Sequence, residues 1–252
     1  MTYRGSQCEI RKPGKVTTYL RTKMPAVNLA RLPLGEQLTL VRQVLETNKT
    51  LLKVLSLATK LNLPNWYLAG GAVSQTIWNH VSSLPPTTGI SDYDLVYHDD
   101  SDLSYEAEDA VIRRGRELFA GIPGEGVEIR NQARVHLWYE EKFGAPCPAH
   151  ESTEAGIDTW ITTSAMIGVR VEADGSWRVY APRGLSEFFS MIVRPNSTVG
   201  VQEAYEKKAR RWIGIWKDLK VMPWTENETP MRFDELEEKK KGEKVKALTR
   251  SV

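Results

Sequence analysis

Apolar residues recur at helical spacing along residues 34–61. Leu38, Val41, Leu45, Leu52 and Leu55 fall three, four or seven positions apart, and Leu40, Val44, Leu51 and Val54 widen the stripe. This predicts a long amphipathic segment with a broad buried face. Thr47-Asn48-Lys49 is a candidate break into two helices. Asn62-Leu63-Pro64-Asn65 ends the pattern, because the residue before proline is biased away from helical backbone.

The texture changes at Trp66. Residues 66–69 predict a short strand, Gly70-Gly71 a turn, 72–80 a helix and 85–89 a proline-rich loop. A strand over 90–97 and a helix over 103–119 follow. Val127, Ile129, Ala133, Val135 and Leu137 alternate with Glu128, Arg130, Gln132, Arg134 and His136, so residues 127–140 read as extended. Residues 165–172 and 177–181 form a hairpin pattern around Asp174-Gly175. Helical patterns over 184–191 and 204–219 close the series. The order predicts an α/β (α+β) domain over residues 34–222, a mixed sheet flanked by helices with an N-terminal helical segment. Residues 1–33 sustain no period and read as an irregular basic arm. Residues 223–252 read as a charged, mobile tail.

Charge and composition narrow the function classes. Of 252 residues, 34 are basic and 32 acidic, which excludes a histone-like polycation. A hydrophobic content of 41% excludes a wholly disordered chain. Two cysteines far apart, Cys8 and Cys147, exclude a disulfide framework and a CxxC-type zinc site. No run approaches the roughly 18–20 apolar residues of a membrane span, and no signal-peptide core is visible. The expectation is a cytoplasmic protein with no membrane partner, in which the Asn-x-Ser/Thr matches at Asn48, Asn196 and Asn227 are chance.

The chemistry concentrates in two places. Asp92 and Asp94 alternate onto one side of a strand, and paired carboxylates at a sheet edge suit a divalent cation. Gly70-Gly71, between a strand and a helix, permits a close approach to phosphate. Gly-Gly followed by Asp-x-Asp on strand–turn–helix–strand resembles the nucleotidyltransferase superfamily, whose third carboxylate comes from a later strand. Glu128 is that candidate. The phrase from Asn131 to Tyr139, with Trp78-Asn79 before it, and Ala181-Pro182-Arg183-Gly184-Leu185 and Val193-Arg194-Pro195-Asn196 after it, is similar to nucleotidyltransferase family 6, a largely uncharacterised group. Twenty residues lie between Gly71 and Asp92, an interval that a longer helix and the Pro85-Pro86 loop absorb.

The resemblance implies one or two Mg2+ ions on Asp92, Asp94 and Glu128. It implies transfer of an NMP group from an NTP such as ATP to a hydroxyl, with release of pyrophosphate. Glu128 would also help deprotonate the hydroxyl. Gly70, Gly71 and Ser74 (or Gln75) would contact the nucleotide. An unbroken strand puts Arg130, Gln132, Arg134 and His136 on the side of Glu128, where they line an acceptor groove with Arg134 on phosphate, or else form a plain wet face. The acceptor (a protein, a small molecule or an RNA end) and the oligomeric state are not written in the chain. The alternative is a catalytically inactive nucleotide- or RNA-binding module of the same fold.

Other features carry blander readings. Trp212 and Trp216, four apart, predict core packing; Lys207, Lys208, Arg210 and Arg211 predict a basic face, solvated by default, with RNA or the nucleotide's phosphates as the alternative partner. His98-Asp99-Asp100 reads as a turn and Cys147 as a free thiol. Gly124 and Gly126 precede a strand, not a helix, and fail as a dinucleotide fingerprint.

Overall fold

The helical stripe at the start of the domain breaks where the sequence predicts. The computed structural model describes residues 28–124, 126–197 and 201–224, together with the backbone of 2–4, 7–12 and 15–20. Strands β1 (Thr2–Arg4), β2 (Gln7–Lys12) and β3 (Lys15–Leu20) form an antiparallel meander within the segment read as irregular. The cationic side chains of that arm before Arg31, and the tail from residue 225, lie outside the described residues.

Helices α1 (Leu34–Thr47) and α2 (Lys49–Ala58) meet at Asn48. Its side chain caps α2 by accepting from the Leu51 amide at 3.0 Å. Its Nδ2 donates to Thr76 Oγ1 at 2.9 Å and to the Pro86 carbonyl at 3.4 Å. One fully buried amide thus breaks the helix and fixes a distant loop.

Next come β4 (Tyr67–Ala69), α3 (Gly71–Val81), β5 (Asp92–Tyr97), α4 (Tyr105–Leu118) and β6 (Gly126–Asn131). Short helices α5 (Tyr139–Phe143) and α6 (Thr153–Ile157) precede the hairpin of β7 (Gly168–Val171) and β8 (Trp177–Tyr180). The chain continues through α7 (Ser186–Phe189), β9 (Ile192–Val193), α8 (Gln202–Ile215) and β10 (Lys220–Val221). Strands β9 and β10 pair in parallel, a two-residue pairing too short to leave a period in the sequence.

The main sheet has the order β6-β5-β4-β7-β8. Only β5 and β6, joined through α4, run parallel. Leu68, Tyr93, Leu95, Ile129 and Val169 point to one face and pack with Val41, Leu45, Leu51 and Leu55 of α1 and α2. Alternation sends Tyr67, Ala69, Val96 and the acids of β5 and β6 to the opposite face. There only a thin layer including Ile157 and Met166 covers the apolar positions. Burying one face leaves the other available for chemistry.

The extended reading of residues 127–140 needs correction: the strand stops at Asn131 and a 3-10 helix, Gln132–Leu137, follows. Asn131 is the stop. Its Oδ1 accepts from the amides of Asp99 and Ala133, and its Nδ2 donates to the Asp99 carbonyl. The apolar alternation persists in the sequence beyond this residue, but the backbone does not follow it.

Trp212 and Trp216 are core residues, as expected, each edge-on to Trp78 at 5.3 Å. Trp216 Nε1 donates to Asn79 Oδ1 at 2.9 Å, while Asn79 Nδ2 donates to the Pro86 and Thr88 carbonyls. Asn48 and Asn79 together therefore hold the loop between α3 and β5. Among the described residues no helix is long and apolar enough to cross a membrane.

Asn48→Ala is expected to cost about 2–3 kcal/mol, combining a lost helix cap with the loss of buried hydrogen bonds to Thr76 and the Pro86 carbonyl. Urea unfolding followed by circular dichroism measures this. A loss below about 0.5 kcal/mol would show that the loop is held by other means.

Candidate active site

Strand register brings the predicted acids together. In the parallel pair Asp94 lies opposite Glu128, and Asp92 opposite Gly126. On the other side Asp94 lies opposite Ala69, the residue before the glycine turn. Carboxylate oxygens of Asp92, Asp94 and Glu128 all fall within 4.8 Å of one another. Such a cluster fits a hard divalent cation, which prefers carboxylate oxygen and offsets the mutual repulsion.

The repulsion is visible at Asp94. Burial, the neighbouring charge of Asp92 and, to a lesser extent, that of Glu128 push its carboxyl up to about 7, against the opposing pull of Lys208 and Arg130. Glu128 is more exposed and accepts from Arg130 at 2.6 Å.

A cavity of about 190 Å³ opens beside Asp94 and Glu128. Trp138, Tyr139, Phe143 and Trp160 supply aromatic walls, Gln132, Thr159 and Thr162 polar groups, and Lys208 and Arg130 positive charge near the acids. Lys142 lies over the Trp138 ring at 5.3 Å. Trp160 is fixed by Asn196, whose Nδ2 donates to the carbonyls of Asp158 and Trp160, both at 2.9 Å. The Trp160 ring in turn covers Gly70, where a Cβ would sit 2.1 Å from ring carbon Cζ3. Gly70 also has φ 69°, ψ −131°, a backbone conformation that only glycine adopts readily. The first glycine of the turn is thus demanded by backbone and packing, and only Gly71 retains exposure.

None of the four expected nucleotide contacts, Gly70, Gly71, Ser74 and Arg134, lines this cavity, and Gly70 lies behind the Trp160 ring. The Ser74 hydroxyl is buried against the carbonyls of Gly70 and Gly71, both at 3.3 Å. The Arg134 guanidinium pairs with buried Glu108 and donates to the Leu103 carbonyl at 3.0 Å. The strand ends three residues before Arg134, so it does not share the face of Glu128.

The structure adds groups that the sequence did not single out. Trp138 and Trp160 stand in irregular or short-helical segments, where no period assigns a face. Lys208 belongs to the basic face of α8, which read as solvated. That face divides: Lys208 reaches the cavity, Arg211 donates to Ser91 Oγ at 3.4 Å, and Arg210 pairs with Glu206. His98 is bonded to the His150 carbonyl and Asp99 to Ser101, in keeping with a turn.

The nucleotidyltransferase family model matches residues 56–221. The chain belongs to this nucleotidyltransferase family. The chain shares its fold with a structure determined by NMR and described as a CCA-adding enzyme head domain. Identity there is 22%, the match spans 73% of this chain and 96% of that one, and the TM-score is 0.59. A tRNA-processing enzyme complex (16% identity, 67% of this chain, 43% of that one, TM-score 0.38) and an apo tRNA-processing enzyme (13%, 76%, 45%, 0.37) add nothing to the fold assignment at those scores. No curated protein sequence matches the chain. For this nucleotidyltransferase, the family phrases have a structural meaning. Asn131 ends the acid-bearing strand, Asn196 holds a cavity wall, and Asn79 anchors the loop leading to Asp92.

The Asp94 shift fixes a pH dependence. A carboxyl whose folded pKa is about 7 against an ordinary 3.8 contributes stability below about pH 4 that is lost as pH rises through 7. The chelator-treated protein should therefore lose melting temperature from pH 4 to 8, relative to Asp94→Asn measured alongside. Parallel profiles for the two proteins would show that Asp94 is not strained.

Proposed function

We propose that this nucleotidyltransferase moves an NMP group from an NTP to a hydroxyl acceptor in the cytoplasm, releasing pyrophosphate. One observation carries the reading: of three clustered carboxylates, Asp94 and Glu128 line a cavity that offers aromatic walls and a lysine. The base and sugar occupy the aromatic cavity, where ring stacking accepts any nucleobase and Gln132, Thr159 and Thr162 offer hydrogen bonds to its edge.

Lys208 and Arg130 bind the phosphates, and the Gly70-Gly71 turn lies one residue beyond the partner of Asp94. One or two Mg2+ ions held by Asp92, Asp94 and Glu128 would neutralise the triphosphate and the charge developing at the α-phosphorus. The acceptor oxygen attacks the α-phosphorus, the bond to the bridging oxygen of the β-phosphate breaks, and pyrophosphate leaves. Glu128, the most exposed of the three acids, takes the proton of the attacking hydroxyl. The alignment of reacting groups and the electrostatic stabilisation of the transition state account for the rate.

Asp92→Asn and Asp94→Asn should each reduce magnesium-dependent pyrophosphate release at least a hundredfold while leaving the melting temperature in EDTA equal or higher. Glu128→Gln should lower release, and Lys208→Gln should raise KM for the nucleotide. Full turnover in the Asp92→Asn/Asp94→Asn double variant would overturn the mechanism. Tight nucleotide binding by wild type with no release in the presence of any acceptor would identify the inactive module instead.

A further inference from the structure

A second cleft, of about 260 Å³, lies on the other side of the acids. Asp94 lines only the first cavity and Asp92 only the second, while Glu128 and Arg130 border both. The acids thus stand between two openings. The second is bordered by Arg116, in the last turn of α4, and floored by Ile112, Val127 and Ile129.

Close packing puts Arg116 there. Its neighbour Gly115 is buried against β6, where a Cβ would fall 2.1 Å from Ile129 Cδ1. Only a glycine lets the helix end approach the strand this closely. Among the described residues none forms an ion pair or side-chain hydrogen bond with the Arg116 guanidinium, whereas Arg130 is engaged by Glu128. The end of α4 carries the partial negative charge of a helix C-terminus, and Asp92 and Glu128 face the same space. A cation bound by the acids would offset their charge and leave two guanidiniums facing the cleft.

We propose that the second cleft receives the acceptor, and that Arg116 selects acceptors carrying a phosphate beside the attacking hydroxyl. This rests on the transferase reading of the acids. A guanidinium binds phosphate oxygens through two parallel hydrogen bonds, which fixes orientation as well as affinity. The phosphate can belong to a monoester on a small molecule or to a diester at a nucleic-acid end.

The test uses amide-resolved NMR titrations on the full chain with Mg2+ and an NTP analogue that cannot release pyrophosphate. Glycerol 3-phosphate probes the monoester and a dinucleoside monophosphate the diester, with glycerol as the uncharged control. The expected result is binding of at least one phosphorylated probe, with shifts at Ile112, Val127 and Ile129, and a more than tenfold weaker Kd in R116Q. R113Q, the same charge change one turn away outside the cleft, should bind as wild type. The stronger probe names the source of the phosphate. Unchanged probe affinity in R116Q, shifts confined to the aromatic cavity, or no binding of either probe would overturn the proposal. Analogue binding is recorded separately in every sample, so its absence would count against the transferase reading and not against Arg116.

Discussion

Three carboxylates held within 4.8 Å of one another constitute the charge problem around which the rest of this fold is arranged. Left alone they repel, and burial together with that repulsion pushes the Asp94 carboxyl up to about 7. The backbone fixes them regardless, because β4, β5 and β6 lock Ala69, Asp94 and Glu128 in adjacent register positions. A parallel β5–α4–β6 unit gives two acid-bearing strands the same direction, and it places the end of α4 beside the acids.

The scaffold that holds this arrangement is polar as well as apolar. The first core secures one face of the sheet with α1 and α2. Four buried asparagines then position what the core does not reach. Asn48 and Asn79 hold the loop before β5, Asn131 ends β6, and Asn196 sets Trp160 over the glycine turn. Each satisfies backbone groups that would otherwise be costly to bury. The long interval between the glycine turn and the acids is therefore structured chain, not slack. Asn48 and Asn196 also match a glycosylation pattern, but both are fully buried.

The longer helices and the strands of the main sheet are legible because of their apolar periodicity, whereas the meander of β1–β3, the short helices α5 and α6, and the two-residue strands β9 and β10 are not. The acids were legible because strand alternation puts Asp92 and Asp94 on one side, and Glu128 followed from the family pattern. Arg134 was misplaced because the alternation continues through residue 137; a single asparagine, bonded to Ala133 and to Asp99 in the loop after β5, overrides it. Lys208 was hidden for a different reason. Periodicity identifies the basic face of α8 but not which of its cations meets the cavity, since that depends on how the helix docks through Trp212 against Trp78. Trp138 and Trp160 stand where no period exists, so only the folded structure reveals them as cavity walls.

The central claim is that the acids bind metal and the aromatic cavity binds nucleotide. Crystals grown with Mn2+ and a non-hydrolysable NTP analogue test it directly through the anomalous signal of the metal. The account predicts a peak bounded by Asp92, Asp94 and Glu128, with the base between Trp138 and Trp160 and the phosphates toward Lys208. A nucleotide bound elsewhere, or manganese absent from the three acids while the nucleotide is present, would contradict it.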